Sequence, residues 1–222
     1  MKSVRLFRDR VDAAKRLVSA LAGLTGKDAI VLAIPRGGVV VGFEVAKALN
    51  VPLDVIIPRK IGAPGNPELA IGAVTEDGTV ILNEELVNYL GVTERYIKEE
   101  SGRQRQEIQR RLKLYRGDVP YPSLRNLDVI IVDDGIATGS TMKAALASVR
   151  KRGAKTIVVA IPVGPPSTIE ELKKLAEHVV CLNTPESFYA IGQFYEDFAQ
   201  TADEEVISLL RLSKQKKNVN TQ

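Results

Sequence analysis

The 222-residue chain carries 31 basic and 27 acidic side chains, a formal net charge of +4, and 45% hydrophobic residues. This composition predicts one folded domain with a real core and at most a small appendage. It argues against a membrane protein, because no apolar run reaches spanning length. With a single cysteine, Cys181, and no signal-peptide core after Met1, we expect a cytoplasmic protein.

Charge also bears on the choice of partners. Three of the lysines lie in the polar C-terminal stretch 214–222, and the rest of the chain is nearly neutral without them. The basic isoelectric point is therefore largely a property of this stretch, and nucleic acid is an unexpected partner. We predict that 214–222 is a disordered tail.

Helical spacing of apolar residues predicts a helix over about 7–22. A buried strand over 29–34 then leads through the Pro-Arg-Gly-Gly turn at 35–38 into a helix over 39–49. Paired glycines allow the backbone to approach a ligand closely, and an arginine offers several donors to an anion. A glycine-rich turn with a surface arginine would have the same pattern, so the residues alone leave both interpretations open.

A second buried strand is predicted over 53–57, and Arg59 and Lys60 follow it. These two side chains are either solvated or supply positive charge that faces Arg36, because neighbouring parallel strands end at one rim of a sheet. Farther along, the turn at 76–78 predicts a hairpin between 70–75 and 79–82.

Residues 93 to about 115 predict a long polar helix with many arginines and a thin apolar stripe. It is either a solvated helix or a mobile lid that brings arginines to an anionic ligand, because lids are drawn from weakly packed segments. We expect a flexible helical segment near 72–115.

The most informative stretch runs from Val129 to Thr141. Four aliphatic residues predict a strand buried on both faces, Asp133 and Asp134 end it, and a small-residue turn leads into a helix that opens at Met142. Unpaired backbone N–H groups and the helix dipole make such a turn a phosphate cradle. An ordinary N-cap uses the same residue types. Two adjacent carboxylates, however, repel each other and need a ligand, a metal or water.

This stretch resembles the ribose-phosphate signature of the type I phosphoribosyltransferases, which has four hydrophobic residues, two acids and a loop ending in Thr-Gly-x-Thr. The resemblance implies that Asp133 and Asp134 hold the ribose 2- and 3-hydroxyls of phosphoribosyl pyrophosphate (PRPP). Residues 137–141 would wrap the 5-phosphate. The expected PRPP-binding residues after the two acids are Gly135, Ile136, Ala137, Thr138, Gly139, Ser140 and Thr141.

Two positions depart from the signature. Gly135 stands where most members carry an aliphatic residue, which predicts a looser start of the loop. Ala137 stands where the hypoxanthine-guanine salvage enzymes carry an aspartate that assists proton transfer at the base. That specificity is therefore not implied here.

The resemblance also bears on the earlier basic turns. In the family, a loop with a basic residue before Gly-Gly contacts pyrophosphate, which implies PRPP contacts from Arg36, Gly37 and Gly38. The Pro35–Arg36 peptide bond is expected to be cis, or to switch on binding. The segment 59–68 resembles a group of predicted, poorly characterised phosphoribosyltransferases, and this likeness covers nearly the whole chain before the tail. The expected catalytic residues are Asp133, Asp134, Arg36 and Lys60, and Arg59 and Lys60 complete the PRPP-binding set.

Beyond the motif, buried strands are predicted over 156–162 and 178–182, with a helix over 165–176 between them. His178 and Cys181 fall in the second strand, where structural roles are the simpler interpretation. No cluster of His, Cys or carboxylates has metal-ligand spacing.

Five of the chain's eleven Phe and Tyr residues fall in 185–198. This stretch predicts either a wall for a flat ligand or a small secondary core. Phe188 and Tyr189 are the candidates for stacking on an acceptor base.

Alternating strands and helices predict an α/β fold with a central parallel sheet flanked by helices, and the resemblance adds a small C-terminal hood. We expect a phosphoribosyltransferase core over 1–182, the hood and a C-terminal helix over 183–213, and the tail over 214–222.

The resemblance implies Mg²⁺-dependent transfer of ribose 5-phosphate from PRPP to a nitrogen base, with release of pyrophosphate. We expect a homodimer whose partners are PRPP and the base, with no membrane partner. The alternative is a PRPP-sensing regulator that binds RNA or DNA with little catalysis, which the arginine-rich helix keeps open.

Overall fold

The computed structural model describes residues 5–24, 26 and 28–219. The strands of its central sheet are β1 (Ala29–Ala33), β2 (Leu53–Val55), β6 (Asp128–Val132), β7 (Thr156–Val163) and β8 (His178–Asn183). They are all parallel and lie in the order β2-β1-β6-β7-β8. The predicted strands of this sheet are present with ends shifted by one or two residues. The α/β fold with a central parallel sheet is therefore confirmed.

Helices cover both faces of this sheet. The helices in the described residues are α1 (Arg10–Ala20), α2 (Gly37–Leu49), α3 (Glu84–Tyr89), α4 (Glu94–Arg116), α5 (Ser140–Lys151), α6 (Pro166–Lys173) and α7 (Asp203–Val219). Helices α1, α2 and α7 share one buried cluster with Val31 and Val132, whereas α5 and α6 share another with Leu32 and Ile131. Successive strand side chains therefore point to opposite helical layers, which explains why the strands are aliphatic throughout.

The strand register brings two loops together at one rim of the sheet. Ala33, the last residue of β1, pairs with Val132, the last residue of β6. The backbone N–H of Ile34 donates to the Val132 carbonyl over 2.9 Å. The segments that begin at Pro35 and Asp133 therefore leave the sheet side by side.

A second, antiparallel sheet consists of β3 (Arg59–Ala63), β4 (Asn66–Val74) and β5 (Val80–Leu82). The predicted hairpin is confirmed as β4–β5. The sequence did not predict β3, the first half of β4 or helix α3. Basic residues, Gly62 and the Pro-Gly-Asn-Pro turn at 64–67 resemble a loop, and the β3–β4 ladder itself has register shifts next to Gly62.

Helix α4 begins where predicted, because the Thr93 hydroxyl accepts the Tyr96 N–H over 3.3 Å. It packs through the buried Ile108 and Tyr115. The Tyr96 hydroxyl also donates to the Gly62 carbonyl over 3.0 Å, which ties α4 to β3. The segment 72–115 is therefore built from regular elements, and its flexibility stays a prediction.

The C-terminal helix α7 extends to Val219. The disordered tail expected over 214–222 stays a prediction, and residues 220–222 lie outside the described residues. Between β8 and α7 the chain forms a short 3-10 turn, Ile191–Phe194. Tyr195 then packs on Phe7 with ring centroids 5.3 Å apart. The hood boundary at 183 stays a prediction.

Candidate functional site

The Pro-Arg-Gly-Gly turn forms the start of helix α2. The helix begins at Gly37, and the peptide bond Pro35–Arg36 is cis, as predicted. A methyl group at Gly37 would lie 1.9 Å from Asp134 Oδ2, and one at Gly38 would lie 2.9 Å from Asp133 Cα. Both glycines are therefore required by a close approach of this turn to the carboxylate pair.

The carboxylate pair has a counterion that the sequence did not reveal. Arg10, in the first turn of α1, donates from Nε to Asp134 Oδ2 over 2.7 Å, and both side chains are 12% exposed. The two adjacent carboxylates were expected to require a ligand, a metal or water, and here the chain itself supplies the positive charge. No local pattern around Arg10 could identify it, because Asp134 is 124 residues away.

The two acids differ in their surroundings. Asp134 is buried, and its backbone carbonyl accepts a 2.6 Å hydrogen bond from the Tyr195 hydroxyl. Asp133 is half-buried, and its Oδ1 accepts the Asp134 backbone N–H over 2.8 Å. Burial and the neighbouring Asp134 carboxylate raise the pKa of Asp133 well above its usual value.

The loop after the acids leads into α5 through Gly139, which has a left-handed φ of 73°. The Thr168 hydroxyl of α6 donates to the Ala137 carbonyl over 2.8 Å. This contact occupies a loop carbonyl, while the hydroxyls of Thr138 and Ser140 lie 3.3 Å from each other at the surface. The predicted strand, small-residue turn and helix N-terminus of a phosphate cradle are all present.

Gly135 corrects one expectation from the sequence. It was predicted to loosen the start of the loop, but the residue is buried. A methyl group there would lie 2.5 Å from Ile191 Cγ2. The glycine therefore lets the 3-10 turn at Ile191 pack directly on the loop, and the start of the loop is tight.

Arg59 and Lys60 are in β3 and face different neighbours. Arg59 donates to Gln104 of α4 over 2.5 Å, and burial, together with the nearby Arg111 guanidinium, lowers its pKa. Lys60 lines a cavity of about 650 Å³ that is also lined by Thr138 and Ser140. Lys60 and the loop 135–141 therefore border the same cavity, whereas Arg59 contacts α4.

Arg36 lies near an acidic residue outside the Asp133–Asp134 pair, and the sequence did not indicate this contact. Its Nη1 is 3.8 Å from Oδ1 of Asp203, the first residue of α7. The Tyr115 hydroxyl of α4 donates to the same oxygen over 2.5 Å. Asp203 therefore links the Pro-Arg-Gly-Gly turn to both α4 and α7.

The aromatic stretch is mainly a structural core. Phe188 packs on Phe194 with centroids 5.1 Å apart, in a cluster with Phe7 and Tyr195. Tyr189 is 90% exposed. The structure thus joins Phe188 to the small core and leaves Tyr189 free of it.

The remaining reactive side chains have structural surroundings. Burial raises the pKa of Cys181 to about 11, and its Sγ donates to the Asn183 carbonyl over 3.1 Å. The thiol is therefore neutral at physiological pH. His178 is exposed at the first position of β8.

Among the described residues, no group of three or more His, Cys, Asp or Glu is arranged to hold a metal ion. Magnesium is commonly bound by one or two carboxylates together with phosphates of the substrate. The half-buried Asp133 carboxylate, beside the turn at 35–38 and the loop 135–141, fits a Mg²⁺ ion that arrives with a phosphate ligand.

Within the part of the chain that the structure describes, no helix combines the length and the apolar character that are needed to span a membrane.

Comparison with known proteins identifies the family of this chain. The family model "Phosphoribosyl transferase domain" matches residues 8–199. The chain is 45% identical over 207 residues to a Mycobacterium tuberculosis protein named "Putative phosphoribosyl transferase", covering 93% of this chain and 47% of that protein. The chain thus spans about half the length of the curated relatives it matches. It belongs to the phosphoribosyltransferase family.

Solved structures give the same fold. The crystal structure of TT1426 from Thermus thermophilus is 44% identical, covers 92% of this chain and 97% of its own, and superposes with a TM-score of 0.80. A hypothetical protein from Neisseria gonorrhoeae, crystallised with bound ppGpp, is 14% identical, covers 96% of this chain and 98% of its own, and has a TM-score of 0.50. The second likeness concerns the fold alone.

Proposed function

We propose that this protein transfers ribose 5-phosphate from PRPP to a nitrogen base and releases pyrophosphate. The observation that carries this proposal is the contact of the Gly37–Gly38 backbone with Asp133 and Asp134, beside the loop 135–141. Two turns of the kind that bind phosphates thus flank a carboxylate pair on neighbouring strands. PRPP, with a phosphate at one end of a ribose and pyrophosphate at the other, matches this order of groups.

The proposed chemistry is positioning and electrostatics. Residues 137–141 hold the 5-phosphate, and Arg36 and Lys60 neutralise charge on the departing pyrophosphate. The acidic pair Asp133 and Asp134 stabilises the positive charge that develops on the sugar. Mg²⁺, when bound with PRPP, would screen the leaving-group charge. Fixing both reactants in this geometry lowers the barrier without a covalent enzyme intermediate.

The acceptor is proposed to be a flat nitrogen heterocycle. Tyr189 stays a candidate for stacking because its ring is exposed, while Phe188 would contribute by supporting the same stretch. Homodimer formation stays a prediction.

A regulator that binds nucleic acid is less well supported. Several arginines of α4 are paired within the helix, as in Arg95–Glu99, Arg103–Glu100 and Arg110–Glu107. A helix whose positive charges are neutralised by its own glutamates is a weak electrostatic surface for a phosphate backbone.

Replacing Thr141 with valine is expected to weaken PRPP binding by about tenfold or more. The change removes a hydroxyl donor to the 5-phosphate, and a hydrogen bond to a charged group contributes roughly 1.5–3 kcal/mol. Calorimetry with PRPP and Mg²⁺ measures the effect. Thr156→Val, at the opposite end of the sheet, is the matched control and should bind normally. Wild-type affinity in Thr141→Val would exclude this loop from the site.

PRPP is also expected to slow tryptic cleavage after Arg103 and Arg105 if α4 is a lid. Arg59 already bonds to Gln104, so an anion held near β3 would strengthen the link between β3 and α4 and reduce opening of the helix. Mass spectrometry of timed digests gives both rates, with cleavage after Lys214 as the internal control. Equal rates with and without PRPP would leave α4 as a solvated helix.

A further inference from the structure

The two carboxylates of the proposed ribose site are not equivalent. Oδ2 of Asp134 is occupied by Arg10 Nε at 2.7 Å. The Gly37 backbone covers the same oxygen so closely that a methyl group there would lie 1.9 Å from it. No space remains at Oδ2 for a ligand hydroxyl, so at least half of this carboxylate is committed to the protein.

Arg10 is itself fixed in place by a different part of the chain. Its Nη1 donates to the Ala199 carbonyl over 2.8 Å. Its guanidinium carbon lies 3.9 Å from the centre of the Phe198 ring. A planar guanidinium held on two edges and one face cannot turn toward a ligand without breaking these contacts. Arg10 is therefore oriented toward Asp134 and away from a direct substrate role.

Asp133 is coupled to this arrangement through the backbone. Its Oδ1 accepts the N–H of Asp134 over 2.8 Å, and a methyl group at Gly38 would lie 2.9 Å from its Cα and 3.0 Å from the same Oδ1. Any rotation of the Asp134 residue would move the N–H that orients the Asp133 carboxylate. Each acid thus has one oxygen held by the protein, and Asp133 is the more exposed of the two and the better placed to meet a ligand.

We infer that Arg10 is a positioning residue of the ribose site, which holds Asp134 so that Asp133 presents its carboxylate to the ribose 2-hydroxyl. The inference rests on the proposed function. It assigns to Asp134 a role in orienting Asp133, and it extends the site to α1 and to the segment 198–199, neither of which belongs to the signature motif.

The test compares ribose 5-phosphate with 2-deoxyribose 5-phosphate, which differ by the hydroxyl in question. Calorimetry is expected to show that the wild type binds ribose 5-phosphate about tenfold or more tightly than the 2-deoxy form. A hydrogen bond to a charged group usually contributes an affinity difference of about this size. Arg10→Gln is expected to lose most of this preference, to about threefold or less, while inorganic pyrophosphate binds nearly as before. Arg16→Gln is the control, because Arg16 is on the same helix and pairs with Asp12 at the surface.

A role in general stability alone would weaken both sugar phosphates equally, so the ratio of their affinities isolates positioning. If folded Arg10→Gln prefers ribose 5-phosphate as strongly as the wild type does, the inference is overturned. The same holds if the wild type binds the two sugar phosphates equally. If Arg10→Gln does not fold, Arg10→Lys replaces it. A lysine keeps the charge but cannot contact Asp134 and Ala199 together, and it should reduce the preference by about threefold. An unchanged preference in that variant overturns the inference. A wild type that binds neither sugar phosphate refutes the proposed function instead.

Discussion

Gly37→Ala is expected to weaken PRPP binding by about a hundredfold or more and to lower stability. The new methyl group would lie 1.9 Å from Asp134 Oδ2 and 2.6 Å from Arg10 Nε. Either the start of α2 moves away from the acids, or the buried ion pair breaks. Breaking such a pair costs roughly 3–5 kcal/mol, and a misplacement of about 1 Å in an active site can cost a hundredfold in rate. Calorimetry with PRPP and thermal unfolding measure the two effects.

The matched control for stability is Gly102→Ala in α4. Apart from the backbone of the helix itself and the two neighbouring residues, no heavy atom lies within 4 Å of a methyl group at that position. Alanine is favoured over glycine inside a helix by about 0.8–1 kcal/mol, so this variant should be slightly more stable than the wild type. A Gly37→Ala protein that binds PRPP normally and unfolds at the wild-type temperature would show that the close approach of the turn to the acids is not needed.

The second large effect concerns the acceptor, because the position that carries a proton-transferring aspartate in hypoxanthine-guanine enzymes is Ala137 here. General acid–base assistance is typically worth 10²–10⁴-fold. Turnover of hypoxanthine and guanine should therefore be about 10²–10⁴-fold slower than turnover of the preferred base. A panel of bases assayed with PRPP and Mg²⁺ for pyrophosphate release measures this difference. Efficient guanine turnover by the wild type would refute the specificity.

Variants at the same position sharpen this test. Ala137 is exposed, and the Thr168 contact holds its carbonyl rather than its side chain. An aspartate therefore fits without repacking, and Ala137→Asp should raise guanine turnover by about tenfold or more. Ala137→Asn is the matched control, because it has the same size but cannot take up a proton. Equal turnover in the two variants would mean that proton transfer does not limit the reaction.

The central sheet and the motif could be predicted because their signals are local. Aliphatic runs of four or five residues identify strands buried on both faces, and the acids, small residues and helix start at 133–141 follow one another directly. The antiparallel sheet was harder to predict. Its first strand, Arg59–Ala63, carries two basic residues and a glycine, and it is held by a ladder to β4 rather than by its own propensity.

The parts of the site that escaped prediction are contacts between distant residues. Arg10 and Asp134 meet across 124 positions, and Tyr195 meets Asp134 across 61. An arginine in the first turn of a helix is unremarkable by itself, since its role depends on the partner that folding brings to it. Gly135 was misjudged for the same reason, because Ile191, the residue that requires its small size, lies in a different segment.

The tether from Arg10 to Ala199 also bears on how the site is completed during synthesis. The ribosome has made the whole sheet rim, the turn at 35–38 and the loop 135–141 before Tyr195, Phe198 and Ala199 emerge. A nascent chain could thus form its phosphate-binding turns while Arg10 still lacks its carbonyl and aromatic partners. Ribose recognition, which by this inference needs Arg10 held by Ala199 and Phe198, would therefore mature after the phosphate-binding turns have been made.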